Sequence, residues 1–142
     1  MIYIEKSYSR NLNKLIDYLR TDEVSKRESG GVFKFTFLDK KKESIAISSL
    51  IQIPNKSEIA TKYQPNETLY KELIYSLADD DNLFGDWHTH LSNRFDPSTE
   101  DDITMFAKAD AVKGKVYSLI ITAINVALWE YTPKKKKMIL KW

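Results

Sequence analysis

Apolar positions along the chain follow two spacings, one helical and one extended. Leu12, Leu15, Ile16 and Leu19 recur at helical spacing and predict an amphipathic helix over residues 8–23. Residues 31–38 (GVFKFTFL) alternate, with Phe33, Phe35 and Phe37 on one face, and predict a strand. Residues 45–53 (IAISSLIQI) read as the next strand. The charged DKKKES between the two is the expected hairpin turn, and Pro54 closes the pair. After Pro65-Asn66, Leu69, Leu73 and Leu77 share a face and predict a helix over 67–78. Residues 83–90 (LFGDWHTH) read as a strand, and residues 99–111 as a third helix starting after Ser98. The tail, VYSLIITAINVALWEY followed by MILKW, is rich in β-formers, with the lysine run 134–137 between its last two strands. This order of helix, two strands, helix, strand, helix and further strands fits an α/β domain, a mixed β-sheet with helices packed on it.

Composition narrows the function classes. The 142 residues fit one domain, 1–142, with a single core, and 42% apolar and 12% aromatic residues suffice to pack it. Gly and Pro number four each, too few for a collagenous or low-complexity chain. With no cysteine, a disulfide framework, a cysteine-ligated zinc finger and a thiol nucleophile are excluded. Net charge is +2 with 30% charged residues, a mixed surface that argues against nucleic acid as a partner. The lysine run is read as a solvated hairpin turn rather than a phosphate site. The opening MIYIEKSYSR does not resemble a signal peptide, and no apolar stretch approaches a membrane span, so a cytoplasmic protein with no membrane partner is expected.

Candidate chemistry concentrates in one segment. The chain has two histidines, His88 and His90, separated by one residue. On a strand, residues i and i+2 share a face, so both imidazoles point the same way while Trp87, Thr89 and Leu91 point to the other. By itself a His-x-His is most often a pair of surface histidines. Pro97-Ser98-Thr99-Glu100-Asp101 follows, where Ser98 and Asp101 read as a capping box with Asp in place of Glu. Such a cap also holds Asp101 at a fixed place facing the histidine strand. Two imidazoles and one carboxylate leave a fourth position open, the pattern of catalytic rather than structural zinc. Activating a zinc-bound water takes a base, and Glu28, in Glu28-Ser29-Gly30-Gly31 at the head of the first strand, is the best candidate. The two glycines there suggest a bulge or a close backbone approach.

Taken together, Glu28-Ser29-Gly30-Gly31, His88-Thr89-His90 and Ser98-Thr99-Glu100-Asp101 resemble the signature of the JAMM (JAB/MPN) metalloproteases. That signature is a glutamate in Glu-x-x-Gly, then His-Ser/Thr-His-Pro, then Ser-x-x-Asp. The match covers nearly all of the chain and departs at Leu91, where the family usually has proline. The run Gly-Asp-Trp-His-Thr-His is similar to the stand-alone bacterial branch, whose members occur with ubiquitin-like conjugation genes, anti-phage systems among them. The resemblance implies a JAB/MPN-like, cytidine-deaminase-like fold. It also implies Zn²⁺ held by His88, His90 and Asp101, Glu28 as general base and Ser98 as oxyanion donor. The implied substrate is a peptide or isopeptide bond after a ubiquitin-like tail, with activating- or conjugating-type proteins of the same operon as partners. Two rival readings are a non-catalytic MPN-type scaffold, whose members typically lack ligands that this chain keeps, and a RadC-like DNA-associated protein, against which the weak net charge argues.

Overall fold

The computed structural model of the chain describes residues 2–4, 16–22, 24–41, 44–77 and 83–141. Among them, strands β1 (Ile2–Ile4), β2 (Gly30–Phe37), β3 (Ile45–Ile53), β4 (Leu83–Thr89), β5 (Val116–Ile121), β6 (Val126–Tyr131) and β7 (Lys136–Lys141) form one sheet, in the order β1-β3-β2-β4-β5-β6-β7. The helices are α1 (Glu67–Leu77) and α2 (Thr99–Val112). The pairs β1–β3 and β4–β5 are parallel and the others antiparallel. A parallel pair needs a crossover, and α2 supplies it between β4 and β5. The carboxyl end of β4, where such sheets leave a crevice for ligands, therefore lies beside the start of α2.

The sheet buries apolar side chains on both faces. On one, Phe33, Phe35, Ile45, Ile47, Trp87, Leu119 and Leu128 pack with Ile16 and Leu19. On the other, α2 lays Met105 and Ala109 on Ile120, Ala127, Trp129 and Tyr131. There α1 covers Val32 and Ile53 with Tyr70, Leu73 and Ile74. Trp87 is fully buried and donates its indole N–H to the Ile51 carbonyl at 3.0 Å. Because β4 alternates, Trp87 facing the first core turns Asp86 and His88 toward the helices.

The mixed α/β architecture is the expected one, with local differences. Helix is described only at 16–19, with turn or bend at 20–22 and a 3₁₀ turn at Val24–Lys26; Leu12 and Leu15 lie outside the described residues. β3 matches its expected span, and Gly30 adds one residue to the start of β2, whose Phe37 ends it before Leu38. The buried face of α1 is Tyr70, Leu73 and Ile74; of the expected leucines Leu73 lies on it, whereas Leu69 is 36% exposed. β4 ends at Thr89 rather than at position 90. Lys136 and Lys137 belong to β7, and only 132–135 form the turn before it. β1 was not expected at all: three residues are too few for a period to show. No helix among the described residues is long and apolar enough to cross a membrane.

Candidate metal centre

Backbone pairing fixes the histidines. His88 sits opposite Gly30 of β2 and Ile120 of β5. His90 lies one residue past the strand, yet its N–H still reaches the Ile121 carbonyl at 3.0 Å, so the ladder holds it too. Thr89, between them, ties this end of β4 to the segment before β2: its N–H donates to the Ser29 carbonyl at 2.8 Å, and its hydroxyl accepts the Ser29 N–H at 2.8 Å. The next residue back is Glu28. Its N–H donates to the Ala60 carbonyl at 2.9 Å, and its carbonyl accepts the Asn55 side-chain amide at 2.9 Å. The glycines that follow allow the close approach expected of them. A Cβ at Gly31 would fall on the Ile51 carbonyl, and one at Gly30 on the Tyr63 ring.

Beyond His90 the chain has left the strand, and Leu91 borders both the cleft that His90 lines and a second pocket shared with Leu19 and Thr89. With no proline at position 91, the loop is held by its own contacts. Its Phe95 carbonyl accepts the Trp129 indole N–H at 3.0 Å, and the Lys141 ammonium lies 4.2 Å from the Phe95 ring centroid. The loop ends in the expected cap. Ser98 Oγ accepts the Asp101 N–H at 3.1 Å, and Asp101 Oδ2 accepts the Ser98 N–H at 2.9 Å.

That cap aims Asp101 at the histidines. His88 Nε2 and His90 Nε2 lie 3.0 Å apart, and Asp101 Oδ2 is 3.1 and 3.0 Å from them. His90 Nδ1 is 2.7 Å from the Arg94 carbonyl, which can only accept, so Nδ1 carries a proton; whenever the ring is neutral, its Nε2 lone pair points at the other two atoms. Lone pairs converging at 3 Å repel unless a positive charge sits among them. A tetrahedral ion with bonds of ~2.0–2.1 Å has ligand edges of about 3.3 Å, close to this triangle. His88, His90 and Asp101 therefore fit a metal ion in both donor chemistry and spacing, and the Arg94 carbonyl orients one of the rings, as outer partners do in metal sites.

The surrounding charges act on each group differently. For Asp101, burial works against ionisation, but hydrogen bonds from both histidines, their charge and the Ser98 amide outweigh it and hold the carboxyl far below its usual range. For His90, burial pulls the imidazole down, yet the Asp101 hydrogen bond, the Arg94 carbonyl and the charges of Asp101 and Glu28 leave it raised. For Glu28, burial dominates over the attraction of the histidines, and its pKa is pushed up to about 7.

These groups share one open cleft of about 730 Å³. Glu28, Lys62, Tyr63, His90, Arg94, Ser98 and Asp101 are among the residues that line it. The family model for prokaryotic homologs of the JAB domain matches residues 10–132. The chain belongs to that family. Among solved structures, this JAB domain is similar to the Trichoplax adhaerens STIL N-terminal domain. They share 12% identity at a TM-score of 0.36, over 91% of this chain and 40% of that one, a level at which neither fold nor function transfers. No curated protein matches the sequence.

All five residues expected at the site border this region of the JAB domain: His88, His90 and Asp101 converge, and Glu28 and Ser98 flank them. Tyr63, Lys62 and Arg94 were not anticipated, since they sit in loops that carry no periodic signal. Asp86 was legible in principle: two positions before His88 on a strand, it shares that histidine's face.

Proposed function

We propose that this JAB domain is a zinc-dependent peptidase or isopeptidase. It acts in the cytoplasm and cleaves the bond that follows the C-terminal tail of a ubiquitin-like protein, free or conjugated. The observation that carries the reading is the convergence of three metal-type donors at 3.0–3.1 Å, two of them, His90 and Asp101, lining a cleft that also holds a carboxylate poised near neutral pH. Two nitrogens and one carboxylate oxygen suit zinc. Held by His88, His90 and Asp101, the ion would supply Lewis-acid polarisation of the scissile carbonyl and acidify the attacking water. Glu28 takes the proton of that water and returns it to the leaving amine, a role that a pKa of about 7 suits in both directions. Ser98 Oγ already accepts the Asp101 N–H, so its own O–H is free to donate to the oxyanion that forms at the carbonyl. Membership of the JAB family supports the substrate class that the motif resemblance implies, and activating- or conjugating-type proteins encoded nearby are the partners proposed with it.

The test combines metal analysis with cleavage. Protein purified without chelator is expected to hold about one zinc per chain and to release the fusion partner from a ubiquitin-like fusion substrate. Zinc bound without cleavage of any ubiquitin-like or peptide substrate would replace the enzyme reading with a binding scaffold. Absence of zinc after direct titration would remove the metal assignment itself.

A further inference from the structure

The polar face of β4 carries a third ionisable residue. Asp86 lies two residues before His88, and its backbone pairs with Val32 and Ser118 in the middle of the sheet. Its Oδ2 meets the Lys108 ammonium, with side chains 16% and 31% exposed. The same ammonium lies 4.2 Å from the Tyr70 ring centroid, so α1 backs the pair. Burial and then the Asp86 charge push the Tyr70 hydroxyl above the usual phenol range. Among the described residues Asp86 Oδ1 is buried without a hydrogen-bond partner, and Lys108 is the cation paired with this carboxylate, with the Tyr70 hydroxyl beside it.

The placement of the pair matters for the metal cluster. Lys108 follows Asp101 by seven residues, two turns along the same face of α2 and ~10 Å along its axis. Asp86 precedes His88 by one strand repeat, ~7 Å. The two elements that bring metal donors together are thus bridged a second time, farther along. Between the bridges lies a cavity of about 80 Å³ whose walls include Asp86, Lys108, His88 and Asp101. Thr104 and Met105 of α2 also line this cavity, while the apolar cluster that α2 joins through Met105 and Ala109 is made with residues of β5 and β6. On that far side, Asp102 accepts from the Tyr131 hydroxyl at 2.7 Å and from Lys136 at 2.8 Å, ties that point away from β4.

We propose that the Asp86–Lys108 ion pair, backed by Tyr70, is a positioning device: it sets the separation of α2 from β4 and thereby the affinity of His88, His90 and Asp101 for a divalent cation. The cation is the one in the function proposed above, and the inference rests on that reading. On this proposal the directional contact, rather than apolar packing, fixes the register of α2 against β4.

The experiment measures zinc dissociation constants by chelator competition for wild type, Asp86→Asn, Lys108→Met, Lys108→Arg and the double variant Asp86→Leu/Lys108→Met. Folding is checked by circular dichroism, and amide exchange along α2 is followed in the metal-free proteins. The single charge-removing variants should bind zinc about tenfold more weakly, within the range for outer-shell partners, and Lys108→Arg should recover most of the loss. The double variant should regain thermal stability over the single ones yet stay weak for zinc. A purely structural role could not produce that separation. Equal zinc affinity in all folded variants overturns the proposal. If wild type itself takes up no zinc, the proposed function fails, and amide exchange decides the clamp. Faster exchange at the start of α2 with the sheet still protected supports it, and unchanged exchange overturns it.

Discussion

Two carboxylates, Asp101 and Glu28, face the same cleft, and their surroundings drive them in opposite directions. Burial opposes ionisation in both. At Asp101 it is overcome at short range, because two imidazoles and a backbone N–H converge within 3.1 Å of one oxygen. At Glu28 no such contact is formed among the described residues, the histidines act only through their charge, and burial wins. One group is therefore kept as a permanent anion, the state a metal ligand needs. The other is left near 7, the state a proton carrier needs. A carboxylate's role in this domain follows from the number of donors within hydrogen-bond reach, since burial acts on both.

The largest effect that breaks this contrast is loss of the metal. Replacing His88 or His90 by alanine should reduce zinc content from about one per chain to background by elemental analysis, and abolish cleavage. Asp101→Asn should weaken zinc strongly while leaving some binding by the two imidazoles. The same cluster predicts a pH dependence. A raised His90 pKa contributes stability to the metal-free protein that is fully present below the ordinary histidine value of ~6.5 and lost as pH rises through the folded value. Protons leave the site over the range in which zinc can enter it. The thermal shift caused by zinc should therefore grow from about pH 6 to about pH 8. A shift independent of pH would mean that the imidazoles are not the ligands.

Next in size is the carboxylate that carries protons. Glu28→Gln should keep zinc and fold while losing ~10²–10⁴-fold in cleavage rate. Wild type should lose kcat/KM on the acid side, as Glu28 is protonated, and a bound cation places that limb below the value of about 7 that Glu28 has in the metal-free site. The limb should vanish in the glutamine variant, and an unchanged rate and profile would exclude Glu28 as the base. Stability runs the other way. A folded carboxylate raised toward 7 binds a proton that the unfolded chain has already released, so stability falls as pH rises from about 4.5 to about 7 and then levels off. Glu28→Gln removes that cost. Metal-free protein should be more stable in the variant at pH 8, by on the order of 1 kcal/mol once solvent screening is allowed for. Equal denaturation midpoints would show that Glu28 is not held at a cost.

The two carboxylates were not equally legible in the sequence. Asp101 could be read because its neighbours announce it: a capping serine three residues before it, a proline before that, and two histidines on one strand face. Those are local patterns, and the structure keeps them local. Glu28 was weak on its own residues and stood out through the family resemblance. What brings it to the cleft is the pairing of β2 with β4 and the Thr89–Ser29 hydrogen bonds, contacts between segments distant in sequence. The fold divides likewise. β3 and α2 carry clear periods or caps, whereas the buried face of α1 is chosen by what β2 and β3 offer: Leu73 is on it as expected, but with Tyr70 and Ile74 rather than Leu69.

The smallest effect tests whether cap and chemistry are separable at Ser98. Its Oγ accepts the Asp101 N–H at 3.1 Å, while its backbone N–H donates to Asp101 Oδ2 at 2.9 Å. Ser98→Ala deletes only the first of these. The backbone bond that aims Asp101 at the histidines survives, so zinc content should not change. The orphaned amide at the start of α2 costs about 1 kcal/mol, as at other N-caps, read as a lower midpoint in denaturant with an unchanged slope. The hydroxyl is also the proposed donor to the oxyanion, so the rate should fall beyond anything the stability loss explains, because the protein remains folded under assay conditions. Ser98→Thr separates the two further: it keeps both a cap and a donor and should restore most of the stability and some of the rate. If Ser98→Ala lowers stability by the expected amount but cleaves at the wild-type rate, Ser98 is a cap alone, and the oxyanion must find its donor elsewhere in the cleft.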